Sequence, residues 1–125
     1  DTSWAAASDV RLKKDILAST AGLAFVNELR PVTFKWNNKD AIDSTLPQYD
    51  ADDSAPVFGE GNAHHGFIAQ EVKAVIDNNP DVVNGHNIWQ QDPDGTQQVA
   101  PSALVPMLVK AIQELSTKVQ ALEDA

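Results

Sequence analysis

The stretch AAASDVRLKKDI, which begins at Ala5, contains two residue types that together can cut a peptide bond. A serine hydroxyl is a weak nucleophile until a base removes its proton. A lysine can be that base only when its pKa falls far below its ordinary value of about 10.4. Burial or a nearby cation lowers the pKa of a lysine, and Arg11 and Lys14 flank Lys13. Ser8 and Lys13 are therefore a candidate nucleophile and general base.

The spacing of this pair does not by itself favour catalysis. Residues five apart lie about 140° apart around a helix and on opposite faces of a strand. Ser8 and Lys13 can therefore meet only if the backbone bends between them. Asp9 after Ser8 also suits a turn closed by its own side chain, with solvated charges around it. From the residues alone, both interpretations stay open, and the solvated turn is the simpler one.

Two adjacent histidines, His64 and His65, form the second candidate site. Imidazoles bind metals, but no third ligand stands at a useful spacing, so we expect a packed or surface pair and no metal site. The chain has no cysteine, which excludes disulfides and thiolate metal sites. No cofactor is expected.

Length and charge limit the classes of protein. A chain of 125 residues suits one domain with a modest core. The net charge of −9 argues against nucleic acid or an anionic membrane as the main partner. No apolar run approaches the roughly 20 residues that span a bilayer. Because the chain starts at Asp1 without an initiator methionine, we expect it to be a piece of a longer polypeptide.

The middle of the chain predicts short elements of both kinds. Ser19 or Thr20 can cap a helix through Leu29, and PVTFKW alternates as a half-buried strand does. A second helix carries Val72 and ends at Asn78. The sequence DPDG between NIWQQ and TQQVA predicts a β-hairpin. The expected fold class is α+β, a small mixed domain of helices and short strands.

Residues 37–63 differ from the rest because they are rich in aspartate and poor in apolar side chains. They lack the central glycine and ligand alternation of a calcium-binding EF-hand loop, which we reject. Loops of this length are uncommon unless they are functional. The prediction is a long exposed loop, which is either a solvated acidic loop or a protruding arm.

The C-terminal residues 102–125 carry the clearest pattern. Pro106 must lie in the first turn, so the helix should start near Ser102. Apolar residues then recur with alternating spacings of three and four, as in a coiled coil. The alternative is one amphipathic helix docked on its own domain, although such helices usually show a wider apolar stripe. The heptad residues are Val105, Leu108, Ile112, Leu115, Val119 and Leu122.

Four blocks in this order, SDVRLKKDI, GLAFVNELRPVTFKW, HHGFIAQEV and LVPMLVKAIQEL, resemble a known family. The chain is similar to the C-terminal intramolecular chaperone domains of bacteriophage tail spikes and tail fibres, typified by endosialidases. A related self-cleaving domain occurs in myelin regulatory factor. The resemblance runs from Ser8 to about Ala121, interrupted by residues 37–63.

The resemblance implies a homotrimer held by a C-terminal coiled coil. Such domains help the β-rich fibre upstream to fold in the host cytoplasm during virion assembly, and then cut themselves off. The cut would fall between Ala7 and Ser8, with Ser8 as nucleophile and Lys13 as base. Residues 1–7 would then be the end of the upstream fibre, and residues 8–101 the chaperone core.

The resemblance also suggests supporting residues. Asp9 and Arg11 match its motif and would orient the pair, while His64 or His65 matches a histidine that could hold the oxyanion. One alternative is an uncut trimeric clamp, or a receptor-contacting tip, retained on the fibre. Another is a hydrolase of outside substrates, for which the sequence offers no pocket or metal signature.

Overall fold

The computed structural model describes residues 5–125 and shows the expected α+β class. The strands pair as two antiparallel sheets of two strands each, β1 with β2 and β3 with β4. Short 3₁₀ turns cover Val10–Leu12 and Pro101–Leu104. In chain order the elements are α1 (Leu23–Glu28), β1 (Val32–Phe34), β2 (His64–Gly66), α2 (Ala69–Asp77), α3 (Pro80–Val83), β3 (Trp89–Gln91), β4 (Gln97–Val99) and α4 (Val105–Glu123).

The core is one apolar cluster in which Ile76 is fully buried. Val72 and Ile76 lie one turn apart on α2 and so share a helix face. Helix α1 contributes Phe25, which is also buried. Burial of these side chains is the main favourable term that holds such short elements together. The cluster comprises Ala21, Phe25, Val72, Ile76, Val82, Ile88 and Leu104.

Helix α1 begins later than the sequence predicts, so the expected cap at Ser19 or Thr20 is wrong. The Ser19 hydroxyl accepts a hydrogen bond from the N–H of Ala21, ahead of the helix. The first helical N–H, that of Leu23, donates instead to Oε1 of Glu114 on α4, at 3.0 Å. A Cβ at Gly22 would collide with that carboxylate, so the close contact requires glycine here.

The strand predicted in PVTFKW and the predicted hairpin are both confirmed, although the strands are shorter than the sequence suggests. In the first sheet Val32 faces Gly66 and Phe34 faces His64. In the hairpin Trp89 lies opposite Val99. The hairpin turn closes at Gly95, whose φ of 92° favours glycine.

Helix α2 ends at Asn78 as predicted, but α3 follows at once. Pro80 lies in the first turn of α3, where its missing N–H leaves no bond unmade. The proline that stops α2 therefore also starts the next helix, and Val82 of α3 joins the core.

Residues 37–63, which we call the acidic loop, contain no fully buried residue. An isolated bridge joins Asn38 to Pro56, and the N–H of Lys39 donates to the carbonyl of Ala55 at 2.9 Å. Lys39 also forms an ion pair with Asp53, with 3.0 Å between nitrogen and oxygen. The loop is therefore held together across its base by its own residues.

Helix α4 presents two faces. One face packs on the domain through Met107 and Ala111, next to Leu104 of the preceding 3₁₀ turn. The other face carries the heptad residues, which are between 42% and 78% exposed. Beyond Glu114 every residue of the helix is exposed, so its second half extends past the domain. None of the helices in residues 5–125 is long and apolar enough to cross a membrane.

Candidate active site

The backbone bend that the Ser8–Lys13 pair requires is present. Residues Val10–Leu12 form a 3₁₀ turn, in which the N–H of Leu12 donates to the carbonyl of Asp9 at 3.0 Å. Lys13 is extended again directly after the turn. The turn folds the chain back on itself, and Nζ of Lys13 donates a hydrogen bond to Oγ of Ser8 at 2.6 Å. The structure thus brings the predicted nucleophile and base into direct contact.

Asp9 and Arg11 hold this turn closed. Oδ1 of Asp9 accepts from the backbone N–H of Arg11 at 2.9 Å, and the carboxylate also accepts from Nε and Nη2 of the guanidinium. The side-chain hydrogen bonds from Arg11 lower the pKa of Asp9, and the same bonds raise the pKa of Arg11. The Asp9 carboxylate therefore binds Arg11 and closes the turn, while Lys13 binds Ser8.

Residues 5–20, which we call the lead segment, lie outside the core. Every one of them is exposed, Ser8 and Lys13 included. Four large apolar side chains of the segment are between 62% and 88% exposed, although such side chains are usually buried. They are Val10, Leu12, Ile16 and Leu17. In a single chain the candidate pair is therefore formed but exposed to solvent.

The two histidines face opposite sides of the first sheet. His65 is exposed, whereas His64 stacks on Phe34 with 5.6 Å between ring centroids and lies near Trp36. The Nε2 atom of His64 is shielded from solvent and has no hydrogen-bond partner among residues 5–125. No described hydrogen bond or ring contact joins either histidine to the lead segment. The described contacts therefore do not join either histidine to the Ser8–Lys13 pair, and the oxyanion role of His64 or His65 stays a prediction.

The described residues contain no group of three or more His, Asp or Glu side chains that could hold a metal ion. The exposed cluster beside His64 is aromatic instead. Trp36 packs edge-on against both Phe34 and Phe58, with ring centroids about 5 Å apart.

Two polar contacts that position the segment and the core were not predicted. Glu114 of α4 binds the first N–H of α1, close to where the lead segment joins the core. Arg30 forms a two-point ion pair with Glu71 of α2, with nitrogen–oxygen distances of 2.8 Å and 2.6 Å. The partners lie 91 and 41 residues apart in the sequence, and no local pattern signals either contact.

The structure also contains an open apolar pocket of about 230 Å³, which no sequence pattern predicts. It lies where the end of α1 meets the beginning of α4, and all its lining residues are apolar. Leu108, one of its lining residues, also belongs to the heptad pattern. The others include Val26, Leu29, Phe67, Pro101 and Leu104.

Comparisons with known proteins agree with the motif at the start of the domain. A family model described as chaperone of endosialidase, a peptidase family, matches residues 8–84. No curated protein and no solved structure matches the chain. The family match covers more than half of the chain and begins at Ser8. This protein therefore belongs to the chaperone-of-endosialidase family, the intramolecular chaperone domains of phage tail fibres and tail spikes.

Proposed function

We propose that the domain trimerises, assists folding of a β-rich fibre upstream in the same polypeptide, and then cuts itself free between Ala7 and Ser8. The observation that carries the cleavage proposal is the 2.6 Å contact between Nζ of Lys13 and Oγ of Ser8. The family match supports it, because that match starts at the residue that would become the new N-terminus. The site of action would be the host cytoplasm during virion assembly.

The proposed reaction begins with attack of Ser8 Oγ on the carbonyl carbon of Ala7. Lys13, as a neutral amine, takes the hydroxyl proton, and the five-membered ring that forms needs little further ordering. The bond between the Ala7 carbon and the Ser8 nitrogen breaks, and the nitrogen receives the proton. Water then hydrolyses the Ala7 ester on Oγ. The products are an Ala7 carboxylate and a Ser8 with free amine and hydroxyl.

The proposed trimer interface is the exposed heptad face of α4. Its apolar residues have no cover in a single chain. Burying them against other copies would gain the usual apolar transfer free energy of roughly 1.5–3 kcal/mol for each fully buried side chain. The opposite face of the same helix is already occupied by the domain, so association need not disturb the core.

Assembly would also supply the condition that the reaction lacks in one chain. A lysine in water stays protonated and cannot accept a proton from serine. Packing of subunits around the lead segment would desolvate Lys13 and favour its neutral amine. Cleavage after assembly would then remove the catalyst of folding and leave the fibre kinetically trapped.

The test uses a chain extended upstream into its fibre. We expect two fragments, with the smaller starting at Ser8 by N-terminal sequencing or mass. Ser8→Ala should leave one full-length product while the trimer still forms by light scattering. Thr20→Ala, an exposed hydroxyl of the same segment, is the matched control and should cleave normally.

The alternative is an uncut trimeric clamp on the fibre. The exposure of Lys13 in a single chain favours this alternative. A trimer that keeps one full-length band with intact Ser8 would support the clamp and contradict cleavage.

A further inference from the structure

Two apolar surfaces of this chain lie uncovered, and they complement each other. The lead segment projects Val10, Leu12, Ile16 and Leu17 into solvent. The pocket between α1 and α4 is open and lined only by apolar side chains. We propose that the lead segment of one copy docks into the apolar pocket of a second copy, so that the second copy covers the Ser8–Lys13 pair of the first. This inference rests on the proposed trimer.

The size of the pocket suits side chains of this kind. Apolar cavities of about 150 Å³ take up a benzene-sized molecule, and this pocket measures about 230 Å³. One or two aliphatic side chains of the segment can therefore enter it. Leu17, the most exposed of the four at 88%, is the first choice.

Charge favours the same arrangement. Residues 8–17 hold three of the nine basic residues, Arg11, Lys13 and Lys14, but only two of the eighteen acidic ones, in a chain of net charge −9. The segment is thus a basic strip on an acidic protein. An acidic surface is therefore its most favourable partner, and the remainder of another copy offers one.

The single chain leaves both surfaces free for a second copy. The lead segment joins the core at Ala21 and Gly22, yet all of its residues are exposed and the pocket is open. The segment of one chain therefore does not fill the pocket of the same chain, which leaves that pocket for the segment of another copy.

The pocket is also continuous with the proposed helical interface, because Leu108 belongs to both. Each chain carries one segment and one pocket, which are the two halves of a heterologous contact. Three such contacts close into a ring and leave no half unpaired. Docking would cover the lead segment and exclude water from Lys13.

Disulfide trapping tests this inference. Because the chain has no native cysteine, any disulfide must form between the introduced thiols. The variant Leu17→Cys/Leu29→Cys places one thiol on the segment and one in the pocket. A disulfide forms only if the two Cα atoms come within about 7 Å. After mild oxidation we expect covalent dimers and trimers on a denaturing gel. The control Leu17→Cys/Ala24→Cys, whose second thiol lies on an exposed position of α1 outside the pocket, should stay at least tenfold less cross-linked.

Light scattering on the same samples separates this inference from the proposed function. A trimer with only intrachain disulfides, or with none, would overturn trans docking and leave the trimeric chaperone intact. A trimer with equal cross-linking in test and control would also overturn it, because the contact would not be specific. A monomer would overturn both proposals.

Discussion

The lead segment and the acidic loop are both largely exposed and almost free of regular structure. Only the loop is held together by contacts between residues that are distant in its own sequence. In the loop, Lys39 joins Ala55 through the backbone and Asp53 through its side chain. In the lead segment the hydrogen bonds of Ser8, Asp9 and Arg11 are local, and four large apolar side chains face water. The loop is therefore stabilised by contacts among its own residues, whereas the segment leaves an apolar surface uncovered in the single chain.

The sharpest test of this difference compares one lysine from each region. Lys13→Met in the fibre-extended chain should slow cleavage by about 10²–10⁴-fold, the usual contribution of a general base. Lys39→Met removes an ion pair of the loop and should leave the rate within about twofold, since surface pairs contribute little. Rates come from the appearance of the Ser8 fragment. Equal rates for both variants would contradict the role of Lys13.

Shortening the loop tests whether it acts on the fibre. The Lys39–Ala55 pairing means that an Asn-Gly turn can replace residues 40–54 and close the base directly. We expect the chaperone core to keep its free energy of unfolding within about 0.5 kcal/mol. The fibre should lose most of its solubility, because an acidic protrusion can screen unpaired strand edges during folding. Soluble fibre from the shortened chain would show that the loop has no such role.

Asp9 and Asp43 provide a pair matched in geometry. Each carboxylate accepts a backbone N–H two residues later, at 2.9 Å and 2.8 Å. Asp9→Ala should loosen the turn that joins Ser8 to Lys13 and slow cleavage about five- to tenfold, the effect of losing one cap. Asp9→Asn keeps the backbone acceptor and should restore part of the rate. Asp43→Ala should not alter the cleavage rate. A similar loss of rate in that variant would show that the effect of Asp9→Ala does not come from the turn between Ser8 and Lys13.

The smallest expected effect concerns the pH dependence of core stability. The side-chain hydrogen bonds from Arg30 lower the pKa of Glu71 from its ordinary value of 4.5. The stability that this pair supplies is therefore present above pH 4.5 and is lost as the pH falls through the lowered pKa. Glu71→Gln should reduce the free energy of urea unfolding slightly at neutral pH and not in acid. A deficit that is constant with pH would contradict this assignment.

Local patterns predicted the elements that local chemistry determines. The hairpin followed from DPDG between NIWQQ and TQQVA, and its strands pair Trp89 with Val99. The start of α1 was mispredicted because its first N–H is bound by Glu114 from the far end of the chain, not by a nearby hydroxyl. Helix α3 was not predicted, because a proline just after a helix usually indicates where that helix ends, although Pro80 here lies in the first turn of the next helix.

The candidate site was predictable in identity but not in geometry. The order of four sequence blocks pointed to Ser8 and Lys13, while their spacing alone favoured a solvated turn. The structure contains both the exposed turn and the contact between the two residues. The turn closed by Asp9 brings Nζ of Lys13 to within 2.6 Å of Oγ of Ser8. The pocket could not be foreseen, because its residues come from three separate stretches of the chain.

The most direct test of the central claim, that assembly activates the Ser8–Lys13 pair, is the cleavage rate as a function of chain concentration. The fibre-extended chain is diluted across the range in which light scattering shows the trimer dissociating, and the Ser8 fragment is followed over time. The rate per chain should rise in proportion to the trimeric fraction and vanish for isolated monomers. A rate constant that stays the same in monomer and trimer would show that the pair needs no partner, and would contradict the account.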